Sequence, residues 1–218
     1  ATVQARTAHW IMKDFAAKYG VTLYSKSEGV CHQLISERHR LQPGQILVGA
    51  DSHTCTAGGY GVIAIPVGST ELAAAMATGT IDLEVPETIE VFMTGDLRPY
   101  VSGKDIVLSL IRQFGVDGLT DKAVLFTGPG IVQLPVEERM TVCNMGIEMG
   151  AMIACFGSEA KEEGVAASIP LDLTLLEPMA ACPFSPANVR PVAELGDIAV
   201  TQVVVGSCTN GRLNDMEK

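Results

Sequence analysis

Four short segments of the chain contain the side chains whose types could perform chemistry. Residues 31–33 read Cys-His-Gln, residues 51–56 read Asp-Ser-His-Thr-Cys-Thr, residues 143–148 read Cys-Asn-Met-Gly-Ile-Glu, and residues 206–210 read Gly-Ser-Cys-Thr-Asn. Thiolates, imidazoles and carboxylates bind metal ions and transfer protons in proteins. These segments are therefore the candidate functional residues, and their spacing limits the chemistry that they can share.

Two kinds of site fit this spacing poorly. Zinc sites usually pair their ligands as Cys-x-x-Cys or His-x-x-x-His, whereas Cys31 and His32 are adjacent and one residue separates His53 from Cys55. A serine-histidine-aspartate triad is disfavoured because residues 51–53 are consecutive, so that their side chains diverge. The sequence also contains no Gly-x-Ser-x-Gly element.

A third chemistry, proton transfer by imidazole–carboxylate pairs, remains open. His53 follows a predicted strand and Glu148 lies in a predicted helix, so the two could meet in space. A carboxylate in that position would fix the tautomer of the imidazole and raise its basicity. A single histidine or glutamate more often has a structural role, and spacing alone does not decide between the two.

The elements that must position these groups alternate along the chain. Apolar periodicity predicts helices over residues 7–19, 30–37, 70–78 (capped by Thr70), 102–114 (capped near Ser102) and 136–152. It predicts strands over residues 21–24, 45–50, 88–94, 123–126 and 198–205, and the prolines within residues 171–188 indicate a loop or linker. This alternation predicts an α/β fold with a parallel sheet, in which ligands bind beyond the carboxyl ends of strands.

The change of pattern near residue 86 predicts a domain boundary. We expect a partial first α/β domain over residues 1–86, a second over residues 87–196, and the start of a third over residues 197–218. The predicted strand at residues 198–205 has no later strand to pair with, and a single parallel strand cannot bury itself. We therefore expect a fragment that is incomplete at both ends.

Composition excludes several classes of function. The 218 residues are 47% hydrophobic and 18% charged, which is typical of a packed core rather than a disordered chain. A net charge of −10 disfavours nucleic acid as a partner. No apolar run is long enough to span a bilayer, and residues 1–7 lack the apolar stretch of a signal peptide. These features predict a cytoplasmic protein without a membrane partner, whose six cysteines are mostly reduced thiols.

Taken together, the four segments resemble motifs of the aconitase superfamily. Residues 48–56 look like its G-x-D-S-H-T signature, and residues 28–33 resemble its G-[IV]-x-H-Q element. Residues 143–151 are similar to N-M-x-x-E-x-G-A, and residues 206–210 look like the G-S-C-T-N loop. The motifs occur in the order of the family and cover nearly the whole chain. Their wording resembles the large subunits of 3-isopropylmalate dehydratase and homoaconitase more than single-chain aconitases.

The resemblance implies aconitase-like layered α/β/α domains, with mainly parallel sheets, and a [4Fe–4S] cluster held by three cysteines. The open iron of such a cluster acts as a Lewis acid while a hydroxy diacid is dehydrated and rehydrated. The first substrate to expect is 3-isopropylmalate, with homoaconitate, citrate or a dimethylmalate as alternatives. Cys208 matches the first cluster ligand, and the C-x-x-C element that supplies the other two is absent. We therefore expect this chain alone to bind no intact cluster and to be inactive.

The resemblance also assigns roles to individual residues. The positions that match catalytic residues are His32, Asp51, Ser52, His53 and Glu148, and those that match residues lining the substrate and the cluster are Asn144 and Asn210. His53 and Glu148 match one imidazole–carboxylate pair, whereas the acidic partner of His32 is expected outside this chain. The catalytic serine is expected on a swivelling domain or a small subunit, which would be the protein partner.

A non-catalytic role is the competing interpretation. The chain could belong to a cluster-free aconitase-like binding protein, or to an RNA-binding relative. Its net charge of −10 argues against RNA.

Overall fold

The chain was analysed as a computed structural model, which describes residues 2–217. The helices are α1 (Val3–Tyr19), α2 (Cys31–Arg38), α3 (Ser69–Thr78), α4 (Gly103–Phe114), α5 (Val136–Asn144) and α6 (Leu213–Met216). The strands are β1 (Ile46–Gly49), β2 (Ile63–Pro66), β3 (Glu87–Thr94), β4 (Lys122–Thr127), β5 (Ile153–Phe156), β6 (Ala167–Asp172), β7 (Met179–Ala181) and β8 (Val189–Pro191). The predicted domain limits at residues 1 and 218 lie outside the described residues.

The central sheet has four parallel strands in the order β5-β4-β3-β6. A second sheet pairs β1 with β2 in parallel, and β7 and β8 form an antiparallel pair. The predicted α/β class with mainly parallel sheets is therefore confirmed. β1 ends at Gly49, directly before the first candidate site residues.

Helix α4 supplies much of the main core. Ser102 begins it as the N-cap, and its backbone N–H donates to Asp105 Oδ2 over 2.8 Å, which satisfies one of the groups that a helix end leaves unpaired. The apolar face of α4 packs against the central sheet; the fully buried residues of this cluster include Ile106, Leu110, Ile111, Val91 and Phe126. The same cluster contains Cys143 and Met149, so it also supports the segment that carries Glu148.

Two glycines allow the 3₁₀ helix Ser52–Tyr60 to lie directly on α5 and β5. A Cβ atom on Gly58 would be 1.8 Å from the carbonyl oxygen of Ala154, and one on Gly59 would be 2.7 Å from the backbone nitrogen of Met140. Only a residue without a side chain permits such an approach. The segment that carries residues 52 and 53 is therefore held against the layer that carries residues 144–148.

Three predicted elements are wrong. Residues 21–24 form no strand, and residues 198–205 form none either. In the second case Val203 and Val204 are 75% and 83% exposed, because no other described segment pairs with them. Residues 171–188 are not a plain linker, since they contain β7, which pairs with β8.

Several helix limits also differ from the prediction. Helix α1 begins at Val3, four residues before the predicted start at residue 7, and α2 is shifted by one residue. Helix α3 begins at Ser69 with Gly68 as its N-cap, so the cap lies two residues before Thr70, the predicted cap. The helix predicted over residues 136–152 stops at Asn144 and continues as the 3₁₀ helix Met145–Met149, which ends at Gly150 in a left-handed conformation. Among residues 2–217, no helix has both the length and the apolar character that crossing a bilayer requires.

Candidate active site

Asp51 lies between two histidines at the carboxyl end of β1. Its Oδ1 atom accepts the backbone N–H of His53 over 2.9 Å, as an N-cap of the 3₁₀ helix that follows. The same Oδ1 atom is 2.9 Å from Nε2 of His32, which projects from α2. The expectation that the acidic partner of His32 lies outside the chain is therefore wrong, because the close approach of α2 to the end of β1 supplies Asp51.

His53 and Glu148 form a second imidazole–carboxylate pair. Nε2 of His53 lies 3.4 Å from Oε1 of Glu148, and both side chains are about three-quarters buried, with exposed fractions of 28% and 26%. Oε2 of Glu148 is buried and has no hydrogen-bond partner among the described residues. This oxygen has lone pairs available for a hydroxyl group or a water molecule.

Ser52 contacts the other nitrogen of the His53 ring. Its Oγ atom is 3.3 Å from Nδ1 of His53. If Nε2 donates its proton to Glu148, Nδ1 is the acceptor of the Ser52 hydroxyl. The rings of His32 and His53 have centroids 6.5 Å apart, so both pairs belong to one site.

Asn144 connects this site to Cys208. The side chain of Asn144 is fully buried, and its Nδ2 atom donates to Thr56 Oγ1 over 2.8 Å and approaches Cys208 Sγ at 3.6 Å. Thr56 in turn donates to the backbone oxygen of His53 over 2.6 Å. A continuous chain of hydrogen bonds therefore runs from His53 to the Cys208 thiol.

Residues 206–210, called the Cys208 loop below, close on themselves. Gly206 and Asn210 form an antiparallel bridge, and Ser207 adopts a positive φ of 79°. The hydroxyl of Thr209 donates to Asn144 Oδ1 over 2.7 Å. The site-lining role of Asn210 stays a prediction.

Sequence reasoning missed Thr56 and Arg212. Thr56 was read only as part of the motif at residues 51–56, and Arg212 was not singled out. Arg212 is only 8% exposed and its guanidinium donates to the backbone of the Cys208 loop. A lone arginine after the loop carries no signal in sequence, because most arginines are exposed.

The pKa of Asp51 is lowered, whereas the pKa values of two buried thiols are raised. Hydrogen bonds from the His53 backbone N–H and from the His32 side chain lower the pKa of Asp51, so its carboxylate is ionised beside both imidazoles. Burial raises the pKa of Cys55 to about 12 and that of Cys143 well above its ordinary value. These two thiols stay protonated, which fits a structural role, and all six cysteines are free.

The described residues fit one corner of an iron–sulfur cluster. The Cys208 sulfur is partly exposed beside Asn144, which makes it accessible to a metal. Within residues 2–217, no group of three histidine, cysteine or acidic side chains could hold a metal ion. That Cys208 is a cluster ligand stays a prediction.

Two cavities adjoin these residues. One of 190 Å³ is lined by Cys31, His32 and Asp51, and another of 450 Å³ lies between α2 and the Cys208 loop. A larger cavity of 740 Å³ between α1 and α2 reaches Cys31. The two smaller cavities are the ones that candidate site residues line: the His32–Asp51 pair lines the first and Cys208 lines the second.

Comparison with known proteins decides the family. The sequence model of the aconitase family (aconitate hydratase) matches residues 2–162. The chain belongs to the aconitase family. This confirms the resemblance drawn from the four motifs, and the matched region contains both imidazole–carboxylate pairs and Asn144, whereas Cys208 lies beyond it.

Curated relatives of this aconitase-family chain extend the match to the Cys208 loop. The 3-isopropylmalate dehydratase large subunit 1 of Methanopyrus kandleri is 41% identical over 237 aligned residues, which cover 99% of this chain and 57% of the relative. The large subunits of the same name from Desulfatibacillum aliphaticivorans and Moorella thermoacetica are each 42% identical and cover 94% of this chain and 54% of their own length. The chain therefore spans about half the length of the curated relatives it matches.

Proposed function

We propose that this chain is the part of a hydro-lyase that dehydrates and rehydrates a hydroxy diacid. The observation that carries the proposal is the placement of Asp51 between His32 and His53, with the His53–Glu148 pair linked through Asn144 to Cys208. Imidazole–carboxylate pairs of this kind are common proton donors and acceptors in enzymes. The family membership and the names of the relatives support the same reaction class.

The substrate that we propose first is 3-isopropylmalate. Its support is the name shared by the relatives from three organisms, each covering at least 94% of this chain. Homoaconitate, citrate and dimethylmalate are the alternatives. Citrate and dimethylmalate carry a hydroxyl group beside a carbon that carries a proton, as elimination of water requires, and homoaconitate carries the double bond to which water would add. We also propose a small subunit with a swivelling domain as the partner, which the words "large subunit" in the relatives' names support.

The residues of the chain divide the proton chemistry between them. Glu148 Oε1, 3.4 Å from Nε2 of His53, orients the imidazole, and His53 would donate the proton that a departing hydroxyl takes up as it leaves as water. Oε2 of Glu148 is free to accept a hydrogen bond from that hydroxyl. Asp51 holds the His32 ring at the 190 Å³ cavity, where the ring would contact the substrate.

Cys208 is the residue of this chain that would hold a [4Fe–4S] cluster. When bound, the cluster supplies an open iron that acts as a Lewis acid on the substrate hydroxyl. Asn144 would keep the Cys208 sulfur in place through its Nδ2 group. Cys55 and Cys143 would not contribute, because both are buried and protonated.

The test uses the complete iron-loaded protein that contains this chain, assembled with its small subunit. Ultraviolet absorbance follows the double bond, which forms when 3-isopropylmalate, citrate or dimethylmalate loses water and disappears when homoaconitate takes up water. Glu148→Gln should lower kcat about 100-fold or more, because it replaces the carboxylate that contacts and orients the His53 imidazole. Glu87→Gln, which breaks an ion pair with Lys122 on the central sheet, is the matched control and should stay near the wild-type rate. Wild-type turnover in Glu148→Gln would contradict the proposed role, and failure on all four acids would contradict the substrate class.

A further inference from the structure

The guanidinium group of Arg212 donates hydrogen bonds to two consecutive carbonyl groups of the Cys208 loop. One guanidinium nitrogen donates to the backbone oxygen of Cys208 over 2.9 Å, and the other donates to that of Thr209, also over 2.9 Å. A guanidinium presents its N–H groups in a rigid planar fork, so two acceptors held in this way are fixed relative to each other. The side chain is only 6% exposed, which places the fork inside the protein.

The same guanidinium is anchored to α5. The nitrogen that contacts Thr209 also lies 3.1 Å from Thr141 Oγ1 and 3.4 Å from the carbonyl oxygen of Glu137. Helix α5 ends at Asn144, whose amide contacts the Cys208 sulfur. The Cys208 loop is therefore joined to α5 through its backbone, by Arg212 and by the Thr141 hydroxyl that donates to the Thr209 carbonyl over 2.8 Å. Asn144 joins it through the Cys208 thiol and the Thr209 hydroxyl.

Burying this cation is costly for the fold. Burial lowers the pKa of Arg212, and the nearest carboxylate, Asp215 Oδ2, is 3.7 Å away. The Nε atom is buried without a hydrogen-bond partner among the described residues. A cation that only capped the short helix α6 could lie in solvent at lower cost. The buried position is needed for the contacts between the guanidinium and the backbone of the Cys208 loop.

We propose that Arg212 is a positioning residue for Cys208. Its planar guanidinium fixes the backbone of the Cys208 loop on α5 and thereby orients the Cys208 thiol toward the candidate site. Its consequence for cluster binding rests on the proposed function, whereas the positioning itself does not. Two charge-assisted hydrogen bonds hold the loop, and their loss should let residues 206–210 open far more often.

The test uses the 218-residue chain without iron and measures amide hydrogen exchange within residues 206–210. Arg212→Gln removes the charge and the fork and should speed exchange in the loop about tenfold or more, as expected for the loss of about 1.4 kcal/mol. Arg212→Lys retains a charged donor without the fork and should give an intermediate rate. The matched control is Arg139→Gln, because Arg139 also ties backbone carbonyls, those of Ile131 and Leu134, to α5 but does not contact the Cys208 loop. It should leave exchange in the loop unchanged.

A second measurement follows the thiol itself. Alkylation of Cys208 at one fixed pH should be faster in Arg212→Lys than in the wild type, because the charge is kept and only the geometry changes. Cys182, which directly follows β7, is the internal reference and should react at its wild-type rate.

Each other outcome overturns the proposal. Wild-type exchange in Arg212→Gln would show that the fork does not hold the loop, and equal acceleration along α5 would show a general loss of stability. If Arg212→Gln does not fold, Arg212→Lys decides alone, since wild-type exchange and alkylation in that variant would remove the need for the fork. Because no step requires a cluster, a failed cluster assignment leaves this test intact, and a negative result here leaves the proposed function standing.

Discussion

Replacing Asn144 by alanine should separate the two halves of the candidate site. The Asn144 side chain is fully buried; it donates to Thr56 Oγ1 over 2.8 Å and accepts from Thr209 Oγ1 over 2.7 Å. The first bond fixes the segment behind His53 and the second fixes the Cys208 loop. Alanine makes neither bond and leaves both hydroxyl groups without that partner.

The magnitude follows from the number of bonds and the space left behind. Two neutral hydrogen bonds contribute about 1 kcal/mol each, and the weaker contact with Cys208 together with the cavity adds about 1 kcal/mol. We therefore expect the free energy of unfolding to fall by about 3 kcal/mol. With an m-value of about 2 kcal/mol/M in urea, the unfolding midpoint should fall by about 1.5 M.

The assay is urea unfolding of the 218-residue chain followed by circular dichroism. Asn188→Ala is the matched control, since Asn188 makes a side-chain hydrogen bond to Pro183 in an exposed turn. That control should shift the midpoint by no more than about 0.3 M, as expected for a surface substitution. An Asn144→Ala midpoint within the same 0.3 M of wild type, as judged by typical extrapolation error, would refute the view that this amide holds the site together.

Three further predictions concern packing, pH and iron. Gly58→Ala should lower the free energy of unfolding by about 3 kcal/mol or more in the same assay, because its Cβ would meet the Ala154 carbonyl. Gly20→Ala is the control: its Cβ would meet no atom, but the φ of +67° should still cost about 1 kcal/mol. Equal losses in the two variants would contradict the close packing at Gly58. The pKa of Cys55 in the folded chain, about 12, lies above its ordinary value of 9.0, so the thiol of the unfolded chain ionises first. The free energy of unfolding should therefore fall by about 1.4 kcal/mol per pH unit between those two values. Cys55→Ala should remove this part of the slope in unfolding curves, and an unchanged slope would contradict the assignment. Anaerobic reconstitution of this chain alone, followed by iron counting and visible absorption, should give no stable four-iron cluster, because Cys208 is the one matched ligand; four irons per chain would sink this prediction.

Much of the fold could be predicted because its signals are local. The apolar face and the Ser102 cap of α4 are written in adjacent residues, and the observed helix begins one residue after that cap. The failures were non-local. Residues 198–205 have a strand-like composition, but a strand needs a neighbour, and no other described segment pairs with them. The β7–β8 pair was missed because the prolines at positions 178, 183 and 186 resemble those of a linker.

The domain limits at residues 86 and 196 stay predictions. The sheets do divide near the first limit, since β1 and β2 precede it and β3 follows it. Ile65 of β2 nevertheless packs with Ala123 and Ile153 of the central sheet. An apolar contact of this kind across the limit makes the two parts one packed unit at that point.

By itself, the sequence determined the family and the residue types of the site. The motif containing Asp51, Ser52 and His53 depends only on the order of residues, and order is enough to recognise a relative. Tertiary structure alone decided the partners. His32 pairs with Asp51, 19 positions away, and Arg212 reaches Thr141, 71 positions away. Hydrogen bonds act over about 3 Å of space whatever the separation along the chain, so only the packing of α2, β1, α5 and the Cys208 loop could select them.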